Sequence, residues 1–168
     1  MKKRIAVISL FVALAALLLA TVPAASPAVT LNSYEQQLVQ AINQQRVKRG
    51  LAKVRVHAKL VTAARSHSAD MGQQQYFAHE SSTGELWSAR LVRYGYTRSG
   101  FSFWKTGENI FKASGLYAAF PATAVKAWMG SPAHRRVILT RSFRDIGVGT
   151  VMSGNTKYIT LDLGRRIQ

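Results

Sequence analysis

The 168-residue chain has no cysteine and only seven acidic residues. The first absence removes thiol nucleophiles, thiolate zinc sites, iron–sulfur clusters and disulfide scaffolds together. The second leaves 23 Lys and Arg with little to balance them, a formal charge of +16, and an anionic partner or surface suits such a field. No internal repeat is visible. No His-Glu-x-x-His helix and no Gly-x-Ser-x-Gly elbow occurs: the position four after His79 is Thr83, so zinc-protease and hydrolase-elbow signatures are both missing. What is present is a chain 48% apolar and 18% charged, the balance of a globular protein. Its length suits one domain with a short extension.

Lys2, Lys3 and Arg4 precede an apolar run from Ile5 to Leu19, and small residues with prolines follow through Ala28. This is the pattern of a secretory signal. The run falls short of the ~20 residues that span a bilayer, so cleavage, after Ala24, Ser26 or Ala28, is expected rather than a permanent anchor. Residues 1–28 are read as the signal, 29–33 as a linker and 34–168 as one domain. Loss of the three leading cations leaves 20 basic against 7 acidic residues, or +13. No second apolar run long enough to span a membrane follows, and without disulfides stability must come from the core.

Asn32 before Glu35, or Ser33 before Gln36, predicts a capping box. A first helix follows, stopped at Gly50. A second is predicted over Lys59–Gln74, with Leu60, Ala63, Ala64, His67 and Met71 on one stripe, and a third over Gly84–Tyr94. Residues 95–107 read as loop with a short strand. Leu116–Met129 reads as helix with Pro121 near its start or splitting it. Ser131-Pro132 opens another turn as N-cap and first helical position. Asp145–Met152 and Lys157–Leu163 read as strands joined by Ser153-Gly154-Asn155-Thr156, a hairpin. Helices first and a hairpin last give a mixed α+β domain.

Four histidines and the few carboxylates must carry any chemistry. His57 reads as a surface residue without a nearby acid, and His67 as a packed core residue. His79 lies just past a helix, at the start of a loop-like segment where function concentrates. Glu108 sits in Gly107-Glu108-Asn109 among apolar residues; it is either an exposed turn residue or a buried acid that needs a cationic partner. His134 is third in a first helical turn, where the positive helix end disfavours imidazolium and leaves a ring able to bind a metal or accept a proton, unless it merely closes the turn. Two imidazoles and a carboxylate can hold a zinc-like ion with a position open for water. The aromatics of 94–104 read as core or as an apolar groove.

Tyr76-Phe77-Ala78-His79, Gly107-Glu108-Asn109-Ile110, Ala127-Trp128-Met129-Gly130-Ser131-Pro132-Ala133-His134-Arg135 and Ile146-Gly147-Val148-Gly149, in that order, resemble the CAP superfamily. These are the cysteine-rich secretory, venom-antigen and pathogenesis-related proteins with their bacterial SCP-like extracellular relatives. Ala41-Ile42-Asn43-Gln44-Gln45-Arg46, and Ala64, His67, Ser68 and Met71, are similar to the family's first two helices. The likeness covers about residues 34–164. It implies a three-layer α-β-α sandwich with a small, mainly antiparallel sheet, and a cleft gathering two His and two Glu. By motif, His79 is the first His, Glu108 the first Glu and His134 the second His. The second Glu falls at Ser131, which weakens cation affinity.

The expectation is an exported protein, secreted or at the periplasm or cell envelope. It would bind an anionic envelope polymer, a lipid headgroup or another amphipathic ligand at His79, Glu108 and His134, with zinc or another divalent cation as the cofactor those three would hold. The alternative is a metal-dependent, peptidase-like hydrolase, with Glu108 and His134 the catalytic candidates and metal-bound water the nucleophile. A third reading is a charged structural protein with an empty cleft. No nucleic-acid motif is present, so contact with nucleic acid would be salt-sensitive and blind to sequence.

Overall fold

The computed structural model describes residues 29–168, so the signal reading of 1–28 lies outside the described residues. Helix α1 (Ser33–Val47) starts where the linker was expected to end. Of the two predicted capping boxes the Asn32–Glu35 one forms: Asn32 Oδ1 accepts from Glu35 N at 2.9 Å and Glu35 Oε2 from Asn32 N at 3.0 Å. Gly50, at φ +66°, turns the chain into the short strand β1 (Arg55–Val56) and helix α2 (Ala58–Gln74). Helix α3 (Trp87–Arg93) begins three residues later than Gly84, which takes φ +80° in the preceding turn, a conformation natural to glycine.

Strand β2 (Phe103–Ser114) is far longer than the short strand expected within the loop of 95–107. Its residues pair one by one with strand β4 (Thr156–Ile167), from Phe103 with Ile167 to Ser114 with Thr156. Pairing between segments far apart in the chain outweighs a local Gly/Ser/Thr composition that disfavours strand. The helix expected over 116–129 divides into a 3-10 turn (Gly115–Ala119) and helix α4 (Pro121–Gly130), with Pro121 at the first helical position. Helix α5 (Pro132–Ile138) follows; Ser131 precedes it, yet its side chain makes no capping hydrogen bond. Strand β3 (Asp145–Ser153) and β4 form the expected hairpin.

Among the described residues the sheet has the order β1-β3-β4-β2, with β1 parallel to β3 and the rest antiparallel. Strand alternation assigns its two faces. Ile146, Val148, Ile159, Leu161 and Leu163 join the core formed with α1, α4 and α5. Gly147 and Gly149 turn the other way, toward α2. A Cβ on either would stand 2.1 Å from α2 backbone, at Leu60 C or Arg65 N. These glycines let helix and sheet touch through their main chains, and Ser68 Oγ adds a bond to Gly149 O at 2.9 Å. The architecture is helices on both faces of a small sheet, a mixed α+β fold. No helix of the described residues is long and apolar enough to cross a membrane.

Arg46, in the segment similar to the family's first helix, is fully buried. Its guanidinium donates to Ala52 O (2.9 Å), Ile138 O (2.6 Å), Thr140 O (3.0 Å) and Phe143 O (3.1 Å). It joins α1 to the end of α5 and the entry to β3 by filling carbonyls that would otherwise be orphaned. His57 is likewise no free surface residue. It is half-buried, accepts from the Arg166 guanidinium at 2.8 Å, and stands edge-on to Tyr96. Burial chiefly lowers its pKa, while the nearby Asp145 opposes that shift.

Candidate functional site

The loop between α2 and α3 carries His79 and is pinned at three points. Asp70, on α2, accepts from the Tyr76 hydroxyl at 2.5 Å and from Ser82 N and Oγ at 2.9 and 2.7 Å. His67 Nε2 donates to Ala78 O at 2.9 Å, holding the residue before His79. The packed-core reading of His67 thus acquires a purpose: the ring is buried, desolvation chiefly lowers its pKa, and the neutral ring positions the loop.

Glu108 is buried and paired, which settles the two sequence readings in favour of the buried acid. From β2 it points to the α2 side of the sheet. Its Oε1 accepts from His79 Nδ1 at 2.8 Å, and its Oε2 accepts from the Arg90 guanidinium. Arg90, on α3, is itself buried and also donates to His79 O and Ser81 Oγ, each at 3.3 Å. The hydrogen bond His79 donates to Glu108 is the main reason the His79 pKa is raised. Since Glu108 accepts, Nδ1 carries the proton, and the neutral ring presents its Nε2 lone pair outward from a side chain 41% exposed.

A further acid belongs to this group. Asp162 on β4 is the direct cross-strand partner of Glu108 and is fully buried. Desolvation first, and the neighbouring Glu108 charge second, raise its pKa well above the usual 3.8, against a smaller opposing pull from Arg90. Two carboxyl groups and one guanidinium so close cannot all be charged without a buried negative excess. Burial and the Glu108 charge thus favour the protonated form of Asp162. The family pattern's second acid is missing at Ser131, but β4 brings another beside Glu108.

His134 is placed differently. Asn109, the residue after Glu108, points to the opposite face and donates from Nδ2 to His134 O at 3.0 Å. The first turn of α5 is thereby tied to β2, yet no hydrogen bond or ion pair among the described residues joins the His134 ring to His79 or Glu108. The structure brings together His79 and Glu108 and adds Arg90 and Asp162. Among the described residues, no group of three or more His, Asp or Glu is arranged to hold a metal ion. Both Glu108 oxygens are engaged, so Glu108 fits the role of support behind His79 rather than that of direct ligand.

Beside Arg90 opens a cavity of about 310 Å³ lined by His67, Asp70, Ser82, Glu85, Arg90 and Arg93. A larger one, about 510 Å³, runs along α1 between Val39, Asn43, Val47 and Lys53 and shares none of these residues. The aromatics of 94–104 serve mainly as packing: Tyr96 is buried, and Trp104 Nε1 donates to Tyr96 O at 3.2 Å.

The model of the cysteine-rich secretory protein family, CAP, matches residues 39–163. The uncharacterized protein YkwD of Bacillus subtilis (strain 168) is 36% identical over 126 residues, which is 75% of this chain and 46% of that protein. An extracellular protein containing a SCP domain from Bacillus anthracis str. Ames aligns with a TM-score of 0.64 at 27% identity, over 82% of this chain and 45% of its own. An outer surface protein of Borrelia burgdorferi aligns at a TM-score of 0.66 with 19% identity, over 82% of this chain and 96% of its own, a likeness of fold alone. The chain thus spans less than half the length of YkwD.

Proposed function

The chain belongs to the cysteine-rich secretory protein (CAP) family, and from that premise we propose that it is an exported binding protein. Its site is the cavity beside Arg90 with the adjoining His79 edge, and its ligand is an anionic or amphipathic molecule of the envelope or extracellular space. One observation carries the preference for binding over hydrolysis: both oxygens of Glu108 are taken, by His79 and by Arg90. A carboxylate held in this way is a structural anchor rather than a base facing substrate, and the chain has no thiol to act in its stead. With its pKa raised by Glu108, a protonated His79 presents an Nε2–H donor, and the strong positive charge draws anions toward it.

A divalent cation is the second reading. Glu108 fixes the His79 tautomer as carboxylates do behind metal-binding histidines, and His134 would be the other imidazole. Bound zinc would supply an activated water to a hydrolase. Elemental analysis and lipid mass spectrometry of natively purified protein separate the cases. A co-purifying ligand, with no turnover of peptides or esters with or without chelator, supports binding. Chelator-sensitive turnover overturns it. Unchanged zinc uptake in the His79→Ala/His134→Ala variant removes the cation.

A further inference from the structure

The most exposed large apolar side chains of the described residues lie together. Leu116, Tyr117 and Phe120 are 84%, 72% and 61% exposed and occupy the 3-10 turn and the residue after it. Gly115 N donates to Asn155 O at 3.2 Å, which seats this turn beside the β3–β4 hairpin. There Met152, 49% exposed, adds a fourth apolar group. Apolar side chains held out together at one end of a sheet differ from singly scattered surface residues, which need no explanation.

The exposed charge on the adjoining ends of β2 and β4 and on α4 is positive. Lys112 on β2 and Lys157 on β4 flank the turn from opposite faces of the sheet, their ammonium groups over the rings of Phe77 (5.2 Å) and Tyr34 (3.6 Å). Lys126 is exposed on α4, which starts directly after the turn. Between Asn109 and Leu161 the sequence holds a single acid, Asp145. It lies at the far end of β3, roughly 25 Å from the hairpin at the rise of a strand. Glu35, the acid next to Tyr34, is buried and paired with Arg65 at 2.5 Å. The tip is therefore apolar at its summit and cationic around its shoulder.

We infer that this end of the molecule docks on an anionic lipid bilayer, with Leu116, Tyr117 and Phe120 entering the headgroup region and Lys112, Lys126 and Lys157 facing lipid phosphates. The pairing of apolar summit and basic collar is what singles out a bilayer. A soluble polyanion would use the cations and leave the apolar groups in water, whereas a bilayer interface takes both. The aromatic rings suit the interfacial depth. None of these residues takes part in the His79–Glu108–Arg90 contacts.

The absence of cysteine permits a direct test on the purified chain. Leu116→Cys carries one environment-sensitive fluorophore, and Thr83→Cys, exposed on the His79 loop, carries the same probe as control. Vesicles of phosphatidylcholine with phosphatidylglycerol should blue-shift and brighten the Leu116→Cys label and not the control; phosphatidylcholine alone should do so far less. Leu116→Ser/Tyr117→Ser/Phe120→Ser, all at exposed positions, should keep the native circular dichroism and lose at least about tenfold in affinity for the anionic vesicles. Equal response of the two labels, or full vesicle binding by the triple variant, overturns the inference. So does a concentration-dependent dimer that the triple variant abolishes, because a second copy would then be the occupant.

Discussion

Asp162 and Glu108 stand directly opposite each other on β4 and β2, two acids on one buried face with the Arg90 guanidinium on Glu108. The centre of the site is thus a charge balance as well as a recess, and several measurable outcomes depend on it.

Arg90→Met leaves Glu108 buried without its cation. The loss of one partner from a buried pair costs about 3–5 kcal/mol, and denaturant unfolding at neutral pH should show a loss of that order. Arg90→Lys should recover only part, since one ammonium cannot reach both Glu108 and the His79 carbonyl as the fork does.

Asp162→Asn should stabilise the fold at neutral pH. The acid's pKa is raised by burial, so the native state holds a proton that the unfolded chain releases above the ordinary 3.8. Stability then falls as pH rises from there to the native value, at about 1.4 kcal/mol per pH unit. Unfolding followed across pH should show this slope in the native sequence and its absence in Asp162→Asn. An unchanged slope would place the proton elsewhere.

Glu108→Gln should bring the His79 pKa back down. The hydrogen bond and charge of Glu108 raise it above 6.5, so the stability that protonated His79 contributes is full below 6.5 and lost as pH rises through the raised value. The His79 imidazole resonances titrated by NMR should move to lower pH in the variant.

Gly149→Ala should destabilise the protein by about 1–3 kcal/mol or more, since its Cβ would meet α2 backbone at 2.1 Å and backbone cannot rotate away. Gly130→Ala, where nothing lies within 4 Å, should be neutral or gain up to about 1 kcal/mol of helix propensity. Thermal melts of the two distinguish a packing demand from a general intolerance of substitution.

Local chemistry made much of this fold legible. Asn32 with Glu35, Pro121, Pro132 and the Ser153–Thr156 hairpin each act within a few residues of chain, and each marks a boundary of the structure. Strand β2 was obscured because its reason for being extended lies on β4. The family motifs located His79 and Glu108, but the groups that complete their surroundings gave weaker signals. Arg90 is one of 23 basic residues and carries no sequence motif of its own. Asp162 was detectable in principle as a lone acid inside Tyr158-Ile159-Thr160-Leu161-Asp162-Leu163, an apolar strand where an ionised carboxylate would be costly. Recognising its partner required the strand register. His134 was read from its helix position, which fixes its backbone, whereas the contacts of its ring depend on packing that helix position does not determine.

The two glycines of β3 have an evolutionary corollary. With α2 resting main chain on main chain, its placement owes little to side-chain fashion, and the loop leaving its end inherits a fixed point of departure. Past Ser82, itself held by Asp70, the segment can then vary among descendants of one ancestor while the imidazole keeps its station. Ligand preference becomes a trait that can drift at the rim without renegotiating the scaffold beneath.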